Sequence, residues 1–123
     1  MELQVMEFRT ENIGDILVIK GTADALDAAN AMEFKSDITP MPETTKNVAL
    51  DMRKPRSMDS PGAGATLSCL RTIHNKNREL RLFSVRPGLY KLFQLVRLDL
   101  LIDIHENCKT ALEAFDRSSD AKA

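Results

Sequence analysis

A short run of residues with a reactive hydroxyl and unusual backbone freedom comprises Asp59, Ser60, Pro61, Gly62, Ala63 and Gly64. It follows an apolar, strand-like stretch at residues 47–51 and precedes a helix-like stretch at 65–77. A serine before a proline is a favourable helix N-cap, because its hydroxyl can accept from an unpaired backbone N–H. The same position favours anionic groups, since a helix begins with a positive partial charge. Ser60 is therefore predicted to be a helix cap, a phosphorylation site, or each in turn.

The residues at and around Asp59–Gly64 do not indicate an enzyme active site. A Ser60–His74 hydrolase pair would need hydrogen-bond contact, but the two residues are separated by about 20 Å along the same predicted helix. Gly62 and Gly64 are not followed by Lys-Ser/Thr, so they do not form a Walker-type phosphate loop. The cysteines and histidines lack the convergent spacing of a metal site. No enzymatic activity, metal or cofactor is predicted.

Two neighbouring features allow more than one interpretation. Gly62 and Gly64 leave the first helical turn without bulk, which lets another molecule approach closely or lets the helix pack tightly on a sheet. Arg53, Lys54 and Arg56 form a small basic cluster that is either a solvated loop or a partner contact. Both alternatives remain open from the sequence.

The composition predicts a single globular domain. The chain has 123 residues, of which 43% are hydrophobic and 28% charged, in the range of soluble domains. A net charge of −1 gives no general attraction to nucleic acid or to an anionic membrane. The first residues do not resemble a signal peptide, and no membrane-spanning segment is expected. Two unpaired cysteines favour a reducing compartment, so a cytoplasmic protein is expected.

The hydrophobic pattern predicts alternating strands and helices. Strands are predicted at residues 3–8, 16–19, 47–51, 80–85 and 100–104, with a turn at 10–15. Helices are predicted at 24–36, capped by Asp24, at 61–77, from Pro87 to about Val96, and at 107–115. The strand at 16–19 is continuous in apolar residues and should be covered on both faces. The alternation predicts parallel pairing, and the initial hairpin makes the sheet mixed.

Helical spacing of apolar residues predicts which side chains face the core. The predicted core positions are Leu26, Ala29, Phe34, Ala63, Leu67, Leu70, Ile73, Leu89, Leu92, Phe93, Val96, Ala111, Leu112 and Phe115. The domain is expected to comprise residues 1–116, followed by a flexible, polar tail at 117–123.

The segment at 58–65 resembles the Asp-Ser-Ser/Thr-Gly-Leu-Gly signature of STAS domains, in particular that of the bacterial anti-sigma factor antagonists. Residues 21–24 are similar to the family's Gly-x-Leu-Asp, and residues 48–51 match the strand before the signature. Residues 85–99 are similar to its Ser-Pro-x-Val-x-x-x-Leu-x-x-x-Gly-Leu region. The resemblance covers residues 5–115. It implies an α/β fold with a mixed sheet of four to five strands and about four helices, packed mainly on one face.

The resemblance also implies a partner switch centred on Ser60. In the family, this serine is phosphorylated by an anti-sigma factor that is also a GHKL-type serine kinase. The unphosphorylated protein binds the kinase and releases its target, and a PPM-type serine phosphatase restores the unmodified form. The partner-binding residues implied in this chain are Asp24, Asp59, Ser60, Pro61, Gly62, Ala63 and Gly64.

Three departures from the family pattern surround Ser60. Pro61 replaces a second Ser or Thr, Ala63 replaces a bulkier Leu, and Pro55 and Ser57 interrupt a loop that is usually apolar. The alternative function is a STAS scaffold without a phosphate cycle, in a lipid-transport ATPase or a stressosome-like complex. The sequence leaves open a weak homodimer, the identities of the kinase and the phosphatase, and the downstream target.

Overall fold

A computed structural model describes the backbone of residues 7–40 and 47–121, and side chains as far as Phe115. Strands and helices alternate along these residues. The strands are β1 (Phe8–Ile13), β2 (Ile16–Gly21), β3 (Ala25–Leu26), β4 (Asn47–Asp51), β5 (Ser57–Met58), β6 (Leu80–Phe83) and β7 (Asp103–His105). The helices are α1 (Ala31–Ile38), α2 (Ser60–Asn75), α3 (Pro87–Leu95) and α4 (Cys108–Ala121), with a 3₁₀ turn at Leu98–Leu100.

The larger sheet in the described residues has the strand order β1-β2-β4-β6-β7. β1 and β2 are antiparallel, whereas β2, β4, β6 and β7 pair in parallel. The parallel strands therefore end at one common edge, where α/β sheets usually carry their binding surfaces. The described residues confirm the predicted α/β class with a mixed, five-stranded sheet and four helices.

A second, two-stranded sheet connects the loops that follow β2 and β4. β3 and β5 are parallel, with Leu26 opposite Met58. The backbone N–H of Asp59 then donates to the Leu26 carbonyl oxygen at 3.2 Å. This pairing fixes the chain immediately before the first residue of α2, the helix that begins at Ser60.

The two faces of the large sheet pack into separate cores, because successive side chains of a strand point to opposite faces. Leu17 and Ile19 belong to the core beneath α1, α2 and α3. Ile16 and Val18 belong to the core beneath α4. All four are buried, which confirms the prediction that this strand is covered on both faces.

The first hairpin differs from the prediction in its position. β1 extends to Ile13, so residues 10–13, predicted as turn, are strand. The turn consists of Gly14 and Asp15. Gly14 has a φ of 59°, which a residue without a Cβ adopts easily and which two-residue hairpin turns require. Residues 3–6 of the predicted first strand lie outside the described residues.

α1 begins later than predicted, and Asp24 is not its cap. The predicted helix covered residues 24–36, whereas α1 begins at Ala31. Residues 25 and 26 are extended because they form β3 and pair with β5. Local helix propensity cannot reveal a pairing with a strand so distant in the sequence, and the prediction was wrong for that reason.

The predicted core positions are confirmed in part. Those that are buried are Leu26, Phe34, Ile73, Leu89, Phe93, Ala111 and Phe115. Those that are partly buried and pack against the two cores are Ala63, Leu67, Leu70, Leu92 and Leu112. Ala29 and Val96 are exposed instead, because Ala29 lies in the loop before α1 and Val96 follows the last residue of α3.

The C-terminal elements also shift relative to the prediction. β7 occupies Asp103–His105 rather than residues 100–104, because the 3₁₀ turn at Leu98–Leu100 precedes it. α4 continues to Ala121, beyond the predicted domain end at 116. The flexible tail at 117–123 stays a prediction.

Candidate functional site at the start of helix α2

The residue that caps α2 is Asp59, not Ser60. The Asp59 carboxylate Oδ1 accepts from the backbone N–H of Gly62 at 3.0 Å, and the helix begins with Ser60. A carboxylate at this position satisfies an unpaired N–H and also carries the charge that the positive helix end favours. The prediction that Ser60 is the N-cap was therefore wrong, and Pro61 stands at the second helical position.

The second oxygen of Asp59 joins α2 to the loop before α1. Asp59 Oδ2 accepts from the backbone N–H of Ala28 at 3.0 Å. Together with the backbone hydrogen bond from Asp59 to Leu26, this contact ties the loop after β3 to the start of α2. Asp59 therefore uses both carboxylate oxygens to hold the local structure, although the family resemblance places it among the partner-binding residues.

Ser60 is exposed. Because Asp59 performs the capping, the Ser60 hydroxyl makes no hydrogen bond within the described part of the chain. Pro61 beside it is also exposed. The Ser60 oxygen is thus accessible to an enzyme and lies at the positive end of a sixteen-residue helix.

The two glycines of the run have different environments. Gly62 is buried, and a Cβ there would collide with the carbonyl oxygen of Leu26 and lie 2.9 Å from Met58 Cγ. A Cβ at Gly64 would meet no atom within 4 Å. Gly62 therefore allows α2 to begin against the backbone of β3, which supports the tight-packing interpretation. Gly64 is exposed and leaves open space on the surface.

A groove of about 410 Å³ lies between the start of α2 and α3. Its walls are formed by Met58, Asp59, Ser60, Ala63, Leu92, Phe93 and Val96. Leu92, Phe93 and Val96 were predicted as core residues, and this groove was not predicted. Only the packing of α3 beside α2 brings these side chains to Ser60.

Further apolar side chains are exposed near the C-terminal end of α3. Leu95 is 80% exposed and Val96 is 54% exposed, and Leu100 and Leu101 after the helix are 70% and 57% exposed. Four large apolar residues within a segment of seven form an unusual surface. The dense run of apolar residues at 95–101, longer than one buried helix face requires, was the signal available in the sequence.

Asp24 is joined to the loop that precedes Ser60. Its side chain is 75% exposed, and Oδ1 pairs with Lys54 Nζ at 3.2 Å. Its carbonyl oxygen accepts from the Arg56 backbone N–H at 2.7 Å. The structure thus places Asp24 at the same edge of the sheet as Ser60, already paired with a lysine. We refer to Asp24 and residues 53–60 together as the Ser60 edge.

Neither thiol belongs to the Ser60 edge, although Cys108 is close enough to Arg53 for the guanidinium to act on its pKa. Cys69 lies on the buried side of α2, and burial raises its pKa to about 12, with Lys35 opposing the shift. Cys108 is partly buried, and its pKa is raised by burial and then by the Asp51 and Glu11 carboxylates, with Arg53 opposing. Neither thiol is activated as a nucleophile. The described residues contain no group of three or more potential metal ligands.

No helix in the described segments 7–40 and 47–121 combines the length and the apolar character needed to cross a bilayer.

The fold is shared with solved structures of low sequence identity. An anti-sigma-factor antagonist (STAS) domain protein from Planctomyces limnophilus has a TM-score of 0.77 at 16% identity, covering 87% of this chain and 96% of that one. The anti-sigma factor antagonist SpoIIAA in its unphosphorylated form has a TM-score of 0.60 at 21% identity, covering 92% and 98%. A sulfate transporter family protein from Wolinella succinogenes has a TM-score of 0.72 at 17% identity, covering 83% and 85%.

The sequence matches a family model directly. Residues 7–111 match the model of the STAS domain. This range contains every strand of the described residues and the whole Ser60 edge. This protein therefore belongs to the STAS domain family.

Proposed function

We propose that this protein is an anti-sigma factor antagonist that acts by partner switching. In its unmodified form it binds an anti-sigma factor that is also a GHKL-type serine kinase, and so releases the target of that factor. Phosphorylation of Ser60 blocks this binding, and a PPM-type phosphatase reverses it. The accessible Ser60 hydroxyl, which the structure does not use as a helix cap, carries the proposal.

The surroundings of Ser60 support a docking surface. Ser60 and Ala63 line one wall of the groove, and Leu92 and Val96 line the other. A partner that covers this groove would bury apolar side chains and enclose Ser60 at the same time. The similar structures include an anti-sigma factor antagonist solved in its unphosphorylated form, which supports the proposal that this protein is also phosphorylated.

The physical effect of the phosphate explains the switch. Phosphorylation adds about −1.5 to −2 charges and three acceptor oxygens. In the free protein, water and the N-terminal end of α2 stabilise this charge, so the fold tolerates it. A docked partner removes the water, and an unpaired charge then becomes costly. A loss of about 3–5 kcal/mol at the interface would lower affinity roughly a hundredfold to several thousandfold.

The direct test is phosphorylation of the intact protein. Candidate GHKL-type kinases from the source genome are incubated with the protein and ATP, and the mass of the intact protein is measured. We expect one phosphate on the wild type and none on Ser60→Ala. Ser57→Ala is the matched control, because Ser57 is also exposed and lies on β5 just before Ser60. Phosphate on Ser57, or none with any kinase, would contradict the proposal.

A binding measurement tests the second half of the switch. The affinity of the kinase for the wild type, the phosphorylated protein and Ser60→Asp is compared by calorimetry. We expect binding of the two charged forms to be at least about a hundredfold weaker. Equal affinity for all three forms would show that Ser60 does not control docking.

A scaffold role is the second candidate function. The exposed side chains of Leu95, Leu100 and Leu101 could lie against a permanent neighbour. One of the similar structures is a sulfate transporter family protein, which supports a role other than that of an antagonist. A scaffold would keep its partner when Ser60 is replaced by Asp, and would lose it when Leu100 and Leu101 are replaced by Ser.

The site of action that we propose is the cytoplasm. Both cysteines in the described residues are free, as expected for a reducing compartment. A fluorescent fusion that locates to the cell envelope would contradict this assignment and favour the scaffold role.

A further inference from the structure

Three arginines lie at the carboxyl-end edge of the sheet and form no ion pair within the described residues: Arg53, Arg56 and Arg86. Arg53 and Arg56 belong to the loop between β4 and β5 and are exposed, whereas Arg86 precedes α3 and is partly exposed. Arg86 Nε donates to the Arg53 carbonyl oxygen at 2.8 Å, which holds two of the three arginines together. We call these three residues the basic rim.

Three carboxylates at this edge have contacts of their own. Asp24 pairs with Lys54 at 3.2 Å. Asp51 is buried, and its Oδ1 accepts from the Arg53 backbone N–H at 2.9 Å. Asp59 accepts from two backbone N–H groups. These carboxylates keep their negative charge, so Arg53, Lys54, Arg56 and Arg86 face three carboxylates and the net local charge is +1, whereas the whole protein has a net charge of −1.

Two helices add positive partial charge at the same edge. α2 follows the β4–β5 segment, and α3 follows β6 with Arg86 as its N-cap. Each helix therefore begins at the carboxyl-end edge of the sheet, where its unpaired N–H groups carry a positive partial charge. The groove lies between these two helices. Arg56 lies two residues before Met58, which lines this groove, so a basic residue and an apolar surface lie close together, as in many protein-binding surfaces.

We propose that the basic rim recognises an acidic segment of the protein that docks over Ser60. This inference rests on the proposed function and names the chemistry of the partner. A phosphate on Ser60 would add about two negative charges near the rim. It would weaken the attraction of the rim for the acidic segment and would also repel that segment directly. Nucleic acid is a less suitable ligand, because the rim is small, lies beside an apolar groove and belongs to a protein of negative net charge.

The first experiment maps the surface without any kinase. The ¹⁵N-labelled protein is titrated with octaglutamate, and amide and arginine Nε shifts are followed. We expect shifts at Arg53, Lys54, Arg56 and Arg86 that vanish in Arg56→Glu/Arg86→Glu. Arg71→Glu is the matched control, because Arg71 is exposed farther along α2 and its reversal should leave the rim shifts unchanged.

Three outcomes of this titration would overturn the inference. One is the absence of rim shifts, and another is an equal response of arginines elsewhere on the surface. The third is a stronger response of the rim to a thymidine octanucleotide or to phosphatidylserine vesicles than to octaglutamate. Either of those ligands would assign the rim to a nucleic acid or to a membrane instead.

The second experiment uses the kinase identified by the phosphorylation test. In about 0.1 M salt, where charges act over about 10 Å, we expect Arg56→Glu/Arg86→Glu to weaken binding about tenfold, mainly through slower association. In about 1 M salt, where this length is about 3 Å, the difference should almost disappear. Equal binding of the wild type and the double variant, with Ser60→Asp still impaired, would overturn the rim inference and leave the proposed switch intact.

Discussion

Arg81, on the sheet face beneath α4, and Arg56, at the Ser60 edge, have opposite environments. Arg81 is 9% exposed, pairs with Glu79 at 3.4 Å and Asp103 at 3.1 Å, and its guanidinium lies 5.1 Å from the centre of the Phe115 ring. Arg56 is exposed and has no ion pair in the described residues. A charge that the fold satisfies internally stabilises the domain, whereas one left in solvent remains available to a partner.

The same contrast holds for hydroxyls. Thr66 of α2 is fully buried, and its Oγ1 donates to the Gly62 carbonyl oxygen at 3.0 Å. Ser60, at the start of the same helix, makes no hydrogen bond through its hydroxyl within the described residues. The groups that hold the Ser60 edge in place therefore differ from those that it exposes to a partner. Mutations of the first set should lower stability, and mutations of the second set should leave stability nearly unchanged.

Gly62→Ala should have the largest effect, because it removes the support beneath the Ser60 edge. The new Cβ would collide with the Leu26 carbonyl and lie 2.7 Å from its carbon, so α2 or β3 must move. We expect the free energy of unfolding to fall by about 3 kcal/mol in urea denaturation.

Gly64→Ala is its matched control. A Cβ at Gly64 meets nothing within 4 Å, so the better helix propensity of alanine should raise stability by about 0.5–1 kcal/mol. Equal destabilisation by the two substitutions would show that glycine is needed here for flexibility, not for close packing.

Arg81→Ala should have the next largest effect. It removes two ion pairs and the contact with the Phe115 ring, so we expect a loss of about 2 kcal/mol in the free energy of unfolding. Arg56→Ala should change stability by less than about 0.5 kcal/mol. Thermal and urea denaturation of both variants test this difference, and similar losses at the two positions would invalidate the contrast drawn between them.

Asp59→Ala and Ser60→Ala test which residue caps α2. Loss of the Asp59 carboxylate leaves the N–H groups of Gly62 and Ala28 without their acceptor, so we expect stability to fall by about 1 kcal/mol. Ser60→Ala removes no such contact and should be neutral within about 0.5 kcal/mol. If Ser60→Ala lowers the free energy of unfolding in urea more than Asp59→Ala does, the cap is Ser60 and not Asp59.

The smallest expected effect is a loss of stability at alkaline pH, caused by ionisation of the Cys69 thiol in the unfolded chain. Its pKa rises from 9.0 to about 12 in the folded protein, so the thiol stays protonated there while the unfolded chain ionises. This contribution is present below about pH 9 and is lost as pH rises toward 12. Between about pH 8 and pH 9.5 we expect Cys69 to account for a loss of just under about 1 kcal/mol.

Cys69→Ala should have a smaller loss of stability over this pH range than the wild type, although its overall stability will be lower. Cys108→Ser removes the other thiol, whose pKa is also raised, but it keeps Cys69 and should retain the part of the pH-dependent loss that Cys69 causes. If the free energy of unfolding falls equally with pH in the wild type and in Cys69→Ala, the thiol ionises similarly in the folded and unfolded states.

The α/β class was predictable because it depends on patterns within short segments. The apolar run at residues 16–19, the strand at Asn47–Asp51 and the helices that follow each strand are visible in local periodicity. The surface position of Ser60 was also predictable, since a helix that begins after a strand of an α/β sheet begins at the edge of that sheet. These features require no knowledge of distant contacts.

The residues that hold Ser60 in place could not be predicted without the tertiary structure. Asp59 becomes the cap and the tether because Leu26 and Ala28, far away in the sequence, are brought beside it. Gly62 is needed because the Leu26 carbonyl occupies the space of a Cβ. Local sequence could not distinguish Asp59 from Ser60 as the cap, since both side chains accept hydrogen bonds from helical N–H groups.

Local sequence patterns are enough to predict the alternation of strands and helices, the fold class and an accessible serine at the start of a helix. The groove between α2 and α3, the pairing of Asp24 with Lys54 and the hydrogen bond from Arg86 to Arg53 arise from contacts between distant segments. The two sets of features differ in the range of the interactions that produce them. Periodicity and capping act within a few residues, whereas a binding surface depends on side chains that meet only after the chain has folded.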